Sequence, residues 1–129
     1  MGRCGTDLSS CLAGTIFVQL AQKRELIIMM PVEIELSQLD ETLANGAALV
    51  DCRENDEVAV SSIENMIHIP LSEFEEQKAK FPTDRPVVIY CRSGKRSLVA
   101  RNIALGWTSH EVTSLKGGIL RYQAANPKA

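Results

Sequence analysis

With 129 residues, 45% of them hydrophobic and 23% charged, the chain has the size and make-up of one globular domain whose core needs neither disulfides nor metal. That balance argues against wholesale disorder and against a membrane-embedded fold. A formal net charge of -2, from 14 basic and 16 acidic residues, lacks the basic excess of a nucleic-acid surface.

Residues 1 to 31 differ in character from the rest of the chain. "CLAGTIFVQLAQ" has the length of a signal-peptide apolar region, yet Asp7 lies early, a single arginine precedes the run and no small-x-small cleavage site comes after it. "LSSC", residues 8 to 11, resembles a lipoprotein box, but only seven residues precede it and none forms an apolar stretch. Both features speak against export. The segment reads as an extension outside the core, flexible or folded as an amphipathic helix, and Met29 and Met30 also permit a start further downstream.

From Pro31 two periodicities alternate. "VEIEL" reads as a short alternating strand. "SQLDETLANG" reads as a helix, with Ser37 as N-cap, acidic residues in its first turn and Gly46 as its stop. "AALVD" is a compact apolar strand ending at Asp51, and "RENDEVA" is polar enough for a short exposed helix or turn. "MIHIP" is a brief strand closed by Pro70. In "LSEFEEQKAKF" the Ser72 to Glu75 spacing is that of a capping box and predicts a helix beginning there. "PVVIY", residues 86–90, is a continuous apolar run rich in β-branched residues, the pattern of a strand buried on both faces at the centre of a sheet. "SLVARNIALG" comes next as a helix, with Leu98, Ile103 and Leu105 as its large apolar positions and Gly106 as C-cap. "EVTSL" is the last strand, "KGG" a turn and "ILRYQAA" a short final helix. Strands alternating with helices predict an α/β fold, a central parallel sheet of about five strands flanked by helices on both faces.

Ligands of such sheets bind beyond the carboxyl ends of the strands. The segment "IYCRSGKRSL" puts Cys91 there, directly after the buried strand, followed by Arg92, Ser93, Gly94, Lys95 and Arg96. Because the loop runs into a helix, the thiol is expected among backbone N–H groups, an anion cradle with a sulfur at its base. Moving a cysteine from a pKa of about 8.5 to about 7 takes roughly 2 kcal/mol. A helix N-terminus supplies about 0.3 to 2 kcal/mol, and nearby cations and N–H donors can supply the rest. The four cysteines, Cys4, Cys11, Cys52 and Cys91, fit neither a small secreted disulfide framework nor the paired CxxC spacing of a zinc site. A reduced, cytoplasmic chain without metal is the expectation.

Four segments in order, "LVDCRENDE", "IHIPLSEF", "VVIYCRSGKRS" and "VTSLKGGI", make the chain similar to the rhodanese-like family of single-domain thiosulfate sulfurtransferases, over roughly residues 32 to 123. The resemblance implies a domain at 32–124 with a tail at 125–129. It implies that Cys91 takes up a sulfane sulfur as a persulfide and that Arg92, Ser93, Gly94, Lys95 and Arg96 form the substrate-binding loop. It also implies, as partners, a small anionic sulfur donor such as thiosulfate and cyanide or a thiol as acceptor, with no cofactor. A persulfide carrier serving a sulfur-acceptor protein needs the same loop. Cysteine phosphatases and arsenate reductases of similar fold are the rival; they place an arginine six residues after the nucleophile, whereas here Arg96 comes five after Cys91 and Ser97 holds the sixth position.

The chain also departs from the family. "SIENM", Ser62 to Met66, stands where many relatives have a His-Ile-x-Gly-Ala segment, and Tyr122 where tryptophan is common. Cys52, at a strand end on the same sheet edge as Cys91, reads as a small buried residue where relatives have valine, with a resolving thiol as the alternative. Asp51 and Arg53 read as a structural pair, and His68 and His110 as packing or solvated residues.

Overall fold

The computed structural model describes residues 31–127, so the readings of residues 1 to 30 and of the last two tail residues lie outside the described residues. In chain order the elements are β1 (Glu33–Ile34), α1 (Leu36–Ala44), β2 (Ala48–Asp51), α2 (Asn55–Val60), β3 (Ile67–His68), β4 (Val87–Tyr90), α3 (Arg96–Ala104), β5 (Val112–Leu115) and α4 (Gly118–Ala125). The five strands form one sheet in the order β1-β5-β4-β2-β3, and every pairing is parallel. The "PVVIY" run supplies the central strand, β4, all four of whose residues are buried.

Strand alternation sorts the core into two layers. On one face Val50, Ile89 and Val112 pack with Phe74, Phe81 and the small residues Ala100 and Ala104 of α3. On the other, Leu49, Val88, Tyr90 and Leu115 pack with Leu39 of α1 and Ile119 of α4. Helices therefore cover both faces, as expected of a parallel sheet. Among the described residues no helix is long and apolar enough to cross a membrane.

Several local expectations are corrected. The "VEIEL" strand shrinks to Glu33–Ile34, because α1 starts at Leu36 with Glu35 as its N-cap rather than Ser37. The Glu35 N–H donates to Gln38 Oε1 at 2.9 Å, and no acidic residue lies in the first turn. The helix expected from Ser72 is replaced by two 3-10 turns, Leu71–Glu73 and Lys78–Lys80. Ser72 is not capping: its hydroxyl donates to Glu54 Oε1 at 2.7 Å, at the start of α2. Finally, α3 begins at Arg96 and buries Ser97, Ala100, Arg101 and Ala104, with Ile103 and Leu105 only partly covered. Its end tightens instead of turning left-handed at Gly106, whose N–H donates to Ile103 O at 3.3 Å.

Candidate active site

Cys91 follows β4 directly and is 1% exposed. Burial alone would hold a thiol in its neutral form, but here donors converge on the sulfur. The Gly94 N–H donates to Cys91 Sγ at 3.0 Å. It can turn back on the sulfur because Gly94 has φ +102°, and a β-carbon there would sit 3.2 Å from the Gly117 nitrogen. Ser97 Oγ, in the first turn of α3, lies 3.4 Å from the sulfur and 2.6 Å from Ser114 Oγ of β5. A thiolate can only accept, so Ser97 donates to the sulfur and Ser114 to Ser97. The Cys52 thiol, at the end of β2, has the largest influence. Burial opposes it, the Ser97 hydroxyl and the N–H groups of Ser97 and Gly94 add to it, and the pKa of Cys91 falls to about 4.

The pH dependence comes from that depression. Cys91 is a thiolate above about pH 4 and takes up a proton as the pH falls through that value. The difference in thiolate absorbance between wild type and Cys91→Ser is expected to stay level from neutral pH down to about pH 5, then vanish over about two further units. A midpoint at the ordinary value of about 8.5 would contradict the donor arrangement.

The loop is held from two sides. The first N–H groups of α4, those of Ile119 and Leu120, donate to Cys91 O at 2.9 Å and Arg92 O at 3.1 Å. The loop carbonyls thereby cap the helix, while Gly94 points its N–H at the sulfur. On the other side Arg96 forms a two-pronged pair with Glu57 of α2, at 2.7 Å for each contact. The Arg96 guanidinium, helped by the Glu54 N–H against partial burial, holds Glu57 down at about 2. Arg96 is thus committed to Glu57. Arg92, Ser93 and Lys95 are exposed on the loop, and neither Arg92 nor Lys95 has an ion-pair partner among the described residues. Beside Arg92 lies a cavity of about 240 Å³ whose lining also includes Val60, Ser61, Leu120 and Gln123.

Asp51 and Arg53 do hold the end of β2. The Asp51 carboxylate accepts the Arg53 N–H at 2.8 Å and its guanidinium at 2.9 Å, with both residues buried. The guanidinium also donates to Ser61 O and lies 5.7 Å from the Tyr90 ring centre. His68 Nε2 lies 2.7 Å from Arg53 O, a packing role. Nothing in the sequence singles out Ser114, Glu57 or Gly118 as part of the site. The one available signal is "TS" in a strand read as buried, since two polar residues there must find partners.

Residues 35–125 match the family model described as the Rhodanese-like domain. The chain is 35% identical over 92 residues to a sulfurtransferase of Allochromatium vinosum, covering 70% of this chain and 86% of that protein. It is 28% identical over 79 residues to the thiosulfate sulfurtransferase GlpE of Coxiella burnetii, covering 61% of this chain and 74% of that one. A rhodanese-related protein of Thermoplasma volcanium superposes with a TM-score of 0.65 at 28% identity, over 73% of this chain and 92% of that structure. A parallel five-stranded sheet, a cysteine loop at the carboxyl end of its central strand and a family match running from α1 through α4 establish that the chain belongs to the rhodanese-like domain family.

Proposed function

We propose that the protein is a sulfurtransferase that takes a sulfane sulfur from thiosulfate, or a similar anionic donor, and passes it to cyanide or a thiol through a persulfide on Cys91. The observation that carries this reading is the buried Cys91 sulfur with donors from Gly94 and Ser97. The thiolate attacks the outer sulfur of thiosulfate; an S–S bond forms as the bond to the sulfonate breaks, and sulfite leaves with the electron pair. The acceptor then attacks the terminal sulfur and the Cys91 thiolate departs. Arg92 and Lys95 draw in the anion. At exposed positions each adds about 1 kcal/mol or less, which favours anions in general over one donor. The similarity to the Coxiella burnetii enzyme supports thiosulfate as the donor to try first.

A protein as sulfur acceptor is the second reading. It is favoured by Val60 and Leu120, which are 86% and 46% exposed and share the cavity beside Arg92. Phosphatase or arsenate reductase chemistry has less support, because Arg96, the arginine nearest the position that chemistry uses, is bound to Glu57. The free thiols of Cys52 and Cys91 suit a reducing, cytoplasmic setting.

The test is intact mass after incubation with thiosulfate, on wild type and Cys91→Ala, followed by cyanide. Wild type alone is expected to gain one sulfur, about 32 Da, and to lose it to cyanide as thiocyanate appears. If folded, reduced wild type neither gains mass nor releases sulfite, thiosulfate is removed as donor.

A further inference from the structure

One nucleophile beside the site makes and breaks no bond in that cycle. Cys52 is fully buried at the end of β2. β2 and β4 are parallel neighbours with Asp51 opposite Tyr90, and the Cys52 N–H donates to Tyr90 O at 3.1 Å. The next pair along this register is therefore Cys52 and Cys91. Their side chains leave the sheet on the same face: Val50, Cys52, Ile89 and Cys91 share one core layer, while Leu49, Val88 and Tyr90 belong to the other. Neighbouring strands lie about 4.8 Å apart, within the Cα separation of about 4.4 to 6.8 Å that a disulfide spans. Both thiols are free.

We propose that Cys52 is a resolving thiol that discharges the Cys91 persulfide as sulfide. Resting on the persulfide proposed above, the step forms a bond between Cys52 Sγ and Cys91 Sγ as the bond from Cys91 Sγ to the terminal sulfur breaks. The terminal sulfur leaves as hydrogen sulfide, taking the bonding pair and the Cys52 proton. Cys52 is oxidised, the terminal sulfur is reduced, and an intramolecular disulfide remains. An external dithiol then returns both cysteines to thiols by two exchange steps, becoming a disulfide itself. With thiosulfate as donor the products are sulfite and sulfide, and the reducing equivalents come from the dithiol.

The surroundings give this step an order. In the resting site the Cys52 thiol is pushed up, chiefly by its hydrogen bond to Cys91, then by burial and by the charges of Cys91 and Asp51. Loading Cys91 moves its charge outward by one sulfur and weakens the largest of these influences. Cys52 is thus held as an inert thiol until there is a persulfide to attack.

For the test, full-length wild type, Cys52→Ser and Cys52→Val are reduced and shown to be folded by circular dichroism. Each is loaded with thiosulfate, or in a parallel arm with inorganic polysulfide, freed of donor and kept without external thiol. Adduct lifetime is the readout, since Cys52 also favours the Cys91 thiolate and its loss can slow loading. Wild type is expected to release one sulfide per adduct and to finish about 2 Da below its reduced mass, with a peptide cross-linking Cys52 to Cys91. Both variants are expected to keep the adduct at least about tenfold longer and release no sulfide, because the intramolecular nucleophile is gone. A wild-type adduct as durable as the variants', with no cross-linked peptide, would overturn the proposal and leave the persulfide standing. Absence of the adduct from all three proteins with both donors would remove the persulfide itself, and Cys52 resolution with it.

Discussion

Gly118→Ala is expected to slow sulfur loading of Cys91 by about 100-fold or more while leaving the sheet folded. A β-carbon at Gly118 would lie 2.4 Å from Cys91 O, 2.5 Å from Arg92 O and 2.6 Å from Arg92 C. All three are backbone atoms and cannot rotate away, and Gly118 has φ +59°, where an L side chain is strained in any case. The loop must then withdraw from α4, losing the bonds from Ile119 and Leu120 and carrying Gly94 away from the sulfur. In reacting geometries a displacement of about 1 Å costs about 100-fold in rate. Gly46→Ala is the control: its φ is +104°, but nothing lies within 4 Å of a β-carbon there. It should lose about 1 kcal/mol of stability from strain and keep the loading rate. The check is single-turnover adduct formation followed by mass; loading of Gly118→Ala at the wild-type rate would mean that α4 does not position the loop.

The largest loss of stability is expected from Arg53→Leu. Asp51 is fully buried and Arg53 is 4% exposed, so removing the guanidinium leaves a carboxylate with neither water nor counter-charge. Breaking a buried pair from one side costs about 3–5 kcal/mol, a large share of the roughly 5–15 kcal/mol available to a domain. The Ser61 carbonyl and the Tyr90 ring lose their partner at the same time. Replacing both members, Asp51→Leu with Arg53→Leu, should restore much of the loss, because no charge is then stranded. Urea unfolding followed by the fluorescence of Trp107 measures both variants. A single variant within about 1 kcal/mol of wild type would show that the pair is not supporting the end of β2.

The parts of this fold that are legible in the sequence are those where one physical demand dominates. β4 is buried on both faces, so every position from Val87 to Tyr90 must be compatible with the core, and the run is visible without context. Edge strands are paired on one side only, and "VEIEL" and "MIHIP" each keep just two residues in the sheet. The capping signal at Ser72 obeys the local rule and fails because its hydroxyl has a stronger offer, a carboxylate from Glu54 brought close by the fold. In the site, Cys91 and Gly94 are near in sequence and can be read together. Ser114, Glu57 and Gly118 come from other elements, and nothing in their own segments marks them as neighbours of a sulfur. For Cys52 the strand-end position is visible, but its face is settled only by the pairing of Asp51 with Tyr90.

The capping of α4 by the carbonyls of Cys91 and Arg92 bears on how the chain is made. Synthesis runs from the N-terminus, so the nucleophile emerges well before Ser114, Gly118, Ile119 and Leu120. Until those residues arrive, the Ser114 hydroxyl that orients Ser97 and the α4 N–H groups that hold the loop are missing, and the donor set around Cys91 is incomplete. The geometry of the loop is in this way completed by the last helix to be made, so the finished site forms only as that helix docks.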